Sequence, residues 1–540
     1  MNYLSYNIAF VSLSMCPIIS SAQDKPNIVV LFADDISARE FPIYGSSVWS
    51  KPEGGNTSEP EFRADTPVME QIAREGCWIK NCWAATVSMP SRAQMMTGRY
   101  AHVQKWWHNK DLGTYCNEKG KEETWPVYES SPLLIGKITQ MAGYASLWAG
   151  KTQMPYTEDI EKYGFNEGCY TPGGTNAISP YTDFTMKKVS DGEFKIVDSD
   201  LTVKTYLQTS YYWQPSVVLI NHPSNKQKME FWPNTSKARA DYGISTYGPD
   251  VELNFIFDFM ERQHKAGKPF FVYHTSHLGH DAYNFIDPES NTHWPATPKV
   301  TWKNGKYIRQ TPKITGDKGH YNTHNSLAQE GIHSHINYLD YQIWLYLQKF
   351  RDLGIDKNTV FIICADNGTS RYGKASVDCQ KGVHVPMLIY APCLKMTKKG
   401  EQDILMNLAD VLPTVAELVG VRLPDNYEVN GVSLLPYLTT SRETHRDWVY
   451  AYRSGMQLIR GNKVLRDGKG VWYDVSINPD DLISFPVITD WKNVSAEHRA
   501  ERNKLNRILP EFDLYKKVHN GPGGTFMPGN KRMNVQNKKR

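Results

Sequence analysis

Two short apolar runs that end in polar residues constrain the fold of this chain more than any other feature. They are residues 26–32 (PNIVVLF) and 360–364 (VFIIC). Runs of this length, rich in β-branched and aromatic residues, are typical of strands buried on both faces of a parallel sheet. The polar side chains that follow the two runs are Asp34, Asp35, Asp366 and Asn367. Because ligands bind at the carboxyl edge of such sheets, we expect the four to meet there if the strands are neighbours.

The rest of the chain alternates between strand-like and helical patterns. Further buried strands are predicted at residues 144–149, 269–273 and 387–390. Apolar residues recur with helical spacing over residues 66–75, 91–98, 132–142, 252–263, 332–353 and 405–420. This alternation predicts an α/β fold with a central, mostly parallel sheet flanked by helices.

The pattern changes near residue 430 to short strand-like pieces, which predict a smaller C-terminal subdomain containing an antiparallel sheet. We therefore expect an N-terminal α/β domain over residues 23–430, which carries the active site, and the smaller subdomain over residues 431–540. The end of the chain, residues 520–540, is rich in Gly, Asn, Lys and Arg, and this composition predicts a mobile basic tail.

The first 22 residues have the pattern of an export signal. Residues 8–19 are largely apolar, and residues 20–22 (SSA) offer small side chains for cleavage, although no Lys or Arg precedes them. The apolar stretch is too short to span a membrane, and no later segment is apolar enough. The sequence therefore predicts an exported product, periplasmic or secreted.

Composition excludes some classes of protein. The net charge of +4 is too small to indicate a nucleic-acid partner by itself. Apolar residues make up 40% and charged residues 22%, as in ordinary globular proteins. Eight cysteines are present, and removal of the signal, which contains Cys16, leaves an odd number. Disulfides are possible after export, but no spacing typical of a zinc site is found.

The four polar side chains after the two runs form an all-oxygen ligand set. Three carboxylates and one amide oxygen suit calcium or magnesium. The alternative is that Asp-Asp and Asp-Asn-Gly are turn residues that end strands.

A second candidate feature is the segment 88–92 (SMPSR), which continues to residues 97–99 (TGR). Ser88 at the start of a predicted helix is well placed to face an anion, with Arg92 nearby as a cation. A helix-capping serine followed by proline is the simpler alternative, but it does not explain the whole string.

This string resembles the signature of the type I sulfatases, a family in the alkaline phosphatase superfamily. Further blocks similar to family motifs follow in order, at residues 26–35, 66–76, 150–151, 270–280, 338–368, 382–386, 410–414, 430–435 and 472–479. The resemblance covers residues 26–480. It implies a sulfuric ester hydrolase whose Ser88 is oxidised to formylglycine (3-oxoalanine), and whose hydrated aldehyde attacks sulfur.

The resemblance also implies roles for single residues. One calcium ion per chain is held by Asp34, Asp35, Asp366, Asn367 and an oxygen of the modified Ser88. Arg92 hydrogen-bonds the formylglycine, and Lys151 and Lys374 bind sulfate oxygens. His280 contacts the sulfate or protonates the leaving alcohol.

Two departures from the family pattern bear on the catalytic histidines. Gln153 stands where the family has a catalytic histidine, and Gln cannot act as a general base. Proton abstraction then falls to His102, to His277 or to water; a structural role for His102 is the alternative. The usual proline before the substrate histidine is also missing, so that His277 is a rival to His280 for that role.

Substrate and partners follow from the same resemblance. A Ser-type enzyme implies an anaerobic sulfatase-maturating enzyme and a bacterial source. Export and the high content of Trp and Tyr suit a sulfated carbohydrate, for which an algal polysaccharide such as carrageenan is our leading class. A phosphodiesterase or phosphonate hydrolase of the same superfamily, or a non-catalytic glycan-binding relative, is the alternative.

Overall fold

A computed structural model describes residues 25–512 with gaps. The gaps are residues 53, 117–118, 155–158, 172–184, 189–193, 198–217, 233–247, 281, 283–296, 311–321, 324–325 and 330. The predicted signal segment 1–22 and the predicted basic tail 520–540 lie outside the described residues.

The core of the molecule is an 11-stranded sheet. Its strands are β1 (Asn27–Ala33), β2 (Cys77–Trp83), β3 (Ala145–Lys151), β4 (Glu167–Thr171), β5 (Val218–Asn221), β6 (Glu230–Trp232), β7 (Phe270–Thr275), β8 (Thr359–Ala365), β9 (His384–Val385), β10 (Met387–Tyr390) and β11 (Gly400–Asn407). The spatial order is β6-β5-β4-β3-β7-β1-β8-β10-β2, with β9 and β11 both paired to β2.

The middle of the sheet is parallel, as the apolar runs predict. Strand β1 lies between β7 and β8 and pairs in parallel with both. Every residue of β1 and of β8 is buried, which explains why both strands are apolar without alternation. The register sets Ala33 beside Ala365, so that the polar residues after the two strands emerge at one point of the sheet edge.

Helices flank this sheet. The longer ones are α1 (Pro67–Glu75), α2 (Ser88–Thr97), α3 (Ile135–Met141), α4 (Gly248–Lys265), α5 (Ile332–Asp352), α6 (Val411–Leu418) and α7 (Ala496–Ile508). Short helices cover Ala101–Gln104, Val127–Ser130 and Leu435–Thr439. None of the described helices combines the length and the apolar character that a membrane crossing requires.

The predicted fold class is confirmed, but one predicted helix was placed too early in the chain. Residues 405–420 have helical spacing, but residues 405–407 belong to β11, and the helix proper begins at Val411. Pairing with β2 decides this, because cross-strand hydrogen bonds outweigh local helical propensity there. The sequence analysis also missed six strands of this sheet: β2, β4, β5, β6, β9 and β11. β4, β5, β6 and β9 are short, and the mixed polar and apolar sequences of β2 and β11 carry weak strand periodicity.

A second sheet of four antiparallel strands follows, as predicted for the C-terminal part. Its strands are β12 (Val449–Arg453), β13 (Met456–Arg460), β14 (Val464–Arg466) and β15 (Trp472–Asp474). Val449 and Leu458 of this sheet share one buried cluster with Trp83 and Leu405 of the main sheet. The domain boundary at residue 430 stays a prediction.

Among the described cysteines, six are free thiols: Cys77, Cys82, Cys169, Cys364, Cys379 and Cys393.

The buried carboxylate of Asp410 joins the C-terminal part to the main domain. Its Oδ1 accepts a hydrogen bond from Arg446 at 2.6 Å, and its Oδ2 lies 3.0 Å from Nε2 of His445. The backbone amides of Asn407 and Val432 also donate to it, each at 2.8 Å. Although burial opposes ionisation, the attraction of Arg446 holds the pKa of Asp410 below its usual value.

We expect Asp410→Ala to lower the free energy of unfolding by about 3–5 kcal/mol, because removing one partner leaves the Arg446 charge buried and uncompensated. Denaturant unfolding followed by circular dichroism measures the change. The matched control is Asp425→Ala, whose ion pair with Arg422 is exposed by 85% on both sides and which we expect to change little. Equal losses in the two variants would contradict this role for Asp410.

Candidate active site

The candidate site lies at the carboxyl edge of the parallel strands. Asp34 and Asp35 follow β1, and Asp366 and Asn367 follow β8, as the sequence predicts. Lys151 is the last residue of β3, two strands away from β1 in the same parallel set. Strand ends from three separate parts of the chain therefore converge at one place.

The three carboxylates form a compact cluster. One ligand oxygen of each of Asp34, Asp35 and Asp366 lies within 4.8 Å of the others, and all three residues are buried. Asn367 lies against this cluster, since its Nδ2 donates to Oδ1 of Asp35 at 2.8 Å. The backbone amide of Asp35 donates to the carboxylate of Asp366 at 2.9 Å, which fixes the two loops against each other.

Ser88 is the first residue of helix α2 and points at this cluster. Its Oγ donates to Oδ1 of Asn367 at 3.0 Å and lies 3.4 Å from Oδ1 of Asp34. The residue is fully buried. A helix N-terminus carries unpaired amides and a partial positive charge, so that an anion held near Ser88 is favoured.

Three cations surround the same point. Arg92, one helical turn after Ser88, donates to Asp366 at 2.9 Å, and Lys151 forms an ion pair with Asp34. Lys374 lies 2.6 Å from Oδ2 of Asp35 and keeps part of its surface exposed. The structure thus brings all three predicted cations to the carboxylate cluster.

The carboxylates influence one another strongly. Burial opposes ionisation of Asp34, but Lys151 and the other nearby cations outweigh it and hold its pKa well below the usual range. Burial, together with the negative charge of Asp34, raises the pKa of Asp366 to about 7. A divalent cation among the three would offset this repulsion, and the hard oxygen donors fit such an ion.

The predicted histidines have different settings. Nε2 of His280 lies 3.8 Å from Asp35, and 16% of the side chain is exposed, so that His280 belongs to the site. His277 is fully buried beneath it and contacts Glu252 and Thr171.

His102 lies elsewhere in the fold. Its Nε2 is 3.0 Å from Glu428, and its ring is 5.1 Å from that of Phe512. These contacts favour the structural interpretation, and a catalytic role for His102 stays a prediction.

The surroundings of two adjacent tryptophans and of Gln153 also bear on the site. Trp106 and Trp107 are completely buried, so that neither offers a face to a sugar. Gln153 follows Lys151 with a left-handed φ of +48°, and its Oε1 is buried without a hydrogen-bond partner among the described residues. The group that replaces the family histidine therefore stays a prediction.

Two residues near the site were missed by sequence reasoning. Ser370 donates to Oδ2 of Asp35 at 2.6 Å, and its position shortly after Asp366 and Asn367 was a usable signal. Glu252, which contacts His277, lies on helix α4, more than 100 residues from any site motif that precedes it. Nothing in the local sequence marks it.

A buried serine at a helix N-terminus faces a carboxylate cluster that could hold a metal ion, with three cations around it. Such an arrangement suits the class of proteins that bind a tetrahedral oxyanion. Comparison with protein families narrows this class, since the family model described as Sulfatase matches residues 26–421. The chain belongs to the sulfatase family and is therefore a hydrolase of sulfuric esters.

Relatives of known class agree with this assignment. An arylsulfatase of Clostridium perfringens is 23% identical over 513 residues, which cover 90% of this chain and 94% of that protein. An ulvan-active sulfatase of Formosa agariphila is 22% identical, over 92% of this chain and 75% of the relative. The solved structure of Ps i-CgsB in complex with k-i-k-neocarrahexaose has a TM-score of 0.57 at 17% identity, and covers 95% of this chain and 98% of that one. The structural likeness confirms the fold.

We expect a divalent cation to raise the melting temperature of chelator-treated protein, because an ion that binds only the folded state stabilises it, by about 2.7 kcal/mol at 100 times the Kd. Calcium and magnesium titrations followed by thermal unfolding measure the shift. Asp35→Ala is expected to abolish it, and Asp403→Ala, an exposed carboxylate paired with Lys80, is expected to keep it. An undiminished shift of the melting temperature in Asp35→Ala would show that the ion binds at another site.

Proposed function

We propose that this chain removes sulfate from a sulfated carbohydrate, using an oxidised Ser88 and one calcium ion. The observation that carries the proposal is the setting of Ser88. Its Oγ lies at a helix N-terminus, against Asp34 and Asn367, with three cations around it. A structural capping serine does not require this surrounding charge.

Oxidation of Ser88 gives formylglycine, whose hydrated aldehyde supplies one hydroxyl to attack sulfur and a second through which sulfate is released. Arg92 lies one helical turn away and would hydrogen-bond this group. A serine hydroxyl alone would leave a stable sulfate ester on the enzyme. The proposal therefore requires the oxidation.

Asp34, Asp35, Asp366, Asn367 and an oxygen of modified Ser88 would hold the calcium ion, whose charge offsets the negative charge of the sulfuryl group. Lys151 and Lys374 would bind sulfate oxygens, since each already lies against a carboxylate of the cluster. A lysine ammonium is a compact point charge that suits a tetrahedral anion.

His280 would deliver a proton to the leaving alcohol. Its side chain is partly exposed at the edge of the site, where the organic part of a substrate has room to enter. A general acid must lie within hydrogen-bonding reach of the leaving oxygen. The position of His280 Nε2, 3.8 Å from Oδ2 of Asp35, supports this role.

We expect the tryptic peptide that contains Ser88 to lose two hydrogens, about 2 Da, when the protein is produced with an anaerobic sulfatase-maturating enzyme, because an alcohol is oxidised to an aldehyde. Mass spectrometry measures the change. Ser88→Ala is expected to lower kcat toward 4-nitrophenyl sulfate by roughly 1,000-fold or more, as for loss of other covalent nucleophiles.

Ser91→Ala is the matched control for folding around Ser88, since the Ser91 hydroxyl bonds the backbone carbonyls of Ala85 and Val87 rather than the carboxylate cluster. An unmodified Ser88, under conditions that convert another Ser-type sulfatase, would refute the formylglycine mechanism. A phosphodiesterase or a glycan-binding protein would then be the better hypothesis.

Two relatives support the proposed substrate class. One relative is described as ulvan-active, and the structure of Ps i-CgsB contains k-i-k-neocarrahexaose. Ulvan and neocarrahexaose are both sulfated algal glycans or fragments of them, which supports our leading class, an algal polysaccharide such as carrageenan. Export from a bacterial cell, suggested by residues 1–22, would bring the enzyme to such polymers.

A screen of sulfated glycans tests this class. We expect release of inorganic sulfate, measured by ion chromatography, from carrageenan oligosaccharides, with ulvan fragments and glycosaminoglycan disaccharides as comparisons. Lys374→Ala is expected to lower kcat/KM about 100-fold or more on every active substrate, because a charge that stabilises the transition state is lost. Sulfate release from glycosaminoglycans alone would reject the algal class.

A further inference from the structure

A buried polar cluster lies beneath the active site, and the chemistry above does not use it. We call it the histidine–glutamate cluster: His274 near the end of β7, His277 in the following turn, and Glu252 on helix α4. Both histidines are completely buried, and Glu252 is exposed by only 4%. Burying polar groups this deeply destabilises the folded state unless hydrogen bonds satisfy them.

Glu252 is the centre of this cluster. Its Oε1 lies 3.0 Å from Nδ1 of His277, and its Oε2 lies 3.3 Å from Nε2 of His274. The outer ring nitrogens contact hydroxyls, with His274 at 2.9 Å from Tyr346 and His277 at 2.9 Å from Thr171. The chain of contacts therefore runs from helix α5 through α4 to the end of β4.

The protonation states make this arrangement self-consistent. Burial lowers the pKa of His274 to about 3 and holds that of His277 well below its ordinary value, so that both rings are neutral. Burial also raises the pKa of Glu252 well above its ordinary value. A neutral carboxylic acid has one donor and one acceptor, which suffice for one ring nitrogen that accepts and one that donates.

His277 begins the turn that carries His280. The amide of His280 donates to the carbonyl of His277 at 3.2 Å, and the carbonyl of Leu278 accepts from the amide of Asp34 at 3.1 Å. Gly279 has a φ of +107°, and a Cβ there would lie 2.0 Å from the carbonyl oxygen of Asp34. The turn is thus packed directly on the backbone of a carboxylate of the site, with no space for adjustment.

The cluster also reaches the strand that ends in Lys151. Thr171, which contacts His277, is the register partner of Lys151 in the pairing of β4 with β3. Oε2 of Glu252 would lie 3.4 Å from a Cβ at Gly150, the residue before Lys151. One buried side chain therefore contacts His277, in the turn that carries His280, and lies close to Gly150, the neighbour of Lys151.

We infer that Glu252 is a positioning residue, which holds His277 and through it fixes the turn that presents His280. The inference rests on the proposed function, since it assigns Glu252 a purpose in the reaction that His280 serves. A displacement of about 1 Å at a reacting group lowers rates by about 100-fold, so that a rigid buried support has a measurable effect. His277 then acts as an anchor for the turn, because both its ring nitrogens contact buried protein groups.

The first test compares two variants of Glu252 with 4-nitrophenyl sulfate as the probe. Glu252→Ala removes both central hydrogen bonds, and we expect kcat per mole of oxidised Ser88 to fall about 10–100-fold with a smaller change in KM. Glu252→Gln offers one donor and one acceptor, as the protonated acid does, and is expected to restore kcat to near that of the wild type. Failure of Gln to restore the rate would overturn the inference.

The second test is a double-mutant cycle with His280→Ala. If Glu252 acts through His280, Glu252→Ala costs little further activity once His280 is gone, whereas independent effects multiply. Multiplying effects, or a loss that only follows the folded fraction measured by circular dichroism, would overturn the inference. Glu261→Ala is the matched control, since this exposed residue of the same helix pairs with Lys349 and is expected to leave kcat unchanged.

Failure of the inference and failure of the proposed function are separable in these experiments. A wild-type protein without oxidised Ser88 and without sulfate release refutes the proposed function before any variant is compared. An active wild-type protein whose Glu252→Ala variant is equally active refutes the positioning role alone.

Discussion

The mutual repulsion of three buried carboxylates is the constraint on which the rest of this structure depends. Parallel pairing of β1 with β8 in a fixed register forces Asp34, Asp35 and Asp366 together at the sheet edge, away from water. Such a cluster is stable only if positive charge surrounds it. Lysines, an arginine and a helix N-terminus supply that charge, and the same elements suit a bound metal ion and an anionic sulfate ester.

Residues around the site hold its loops and its turn in fixed positions. Residues 277–280 pack against the backbone of Asp34, and the buried Glu252 holds the first residue of that turn. On the other side, a serine and a threonine bridge the two acidic loops, where Ser37 and Thr369 exchange hydrogen bonds of 2.9 and 2.8 Å. Rigid parallel strands and these bridges leave few ways for the carboxylates to separate, which is the preorganisation that charge stabilisation in a reaction requires.

Much of the fold and of the site could be predicted from local patterns. The two acidic strand ends and Ser88 lie in short contiguous motifs, and the buried central strands are continuous apolar runs, which are strong signals. The end of β11, residues 405–407, was predicted to be helical because its apolar residues have helical spacing. In the structure the pairing of β11 with β2 overrides this local preference. Trp106 is buried in the main core, and Trp107 is buried in a cluster with residues of the C-terminal sheet, which no local pattern reveals.

The sequence by itself determined the class of this protein, because the two acidic strand ends and the segment around Ser88 lie in short contiguous motifs that can be recognised from a few positions. Only the tertiary structure decided which histidine belongs to the site. Spacing in the sequence favours His280 and leaves His277 and His102 as rivals. In the structure His102 contacts Glu428, His277 is buried under the turn, and His280 lies near the carboxylates. Glu252 could be recognised only in the tertiary structure, because its contacts join helices and strands that are far apart in the chain. Its burial and its distances to these groups, rather than its spacing in the sequence, determine its chemistry.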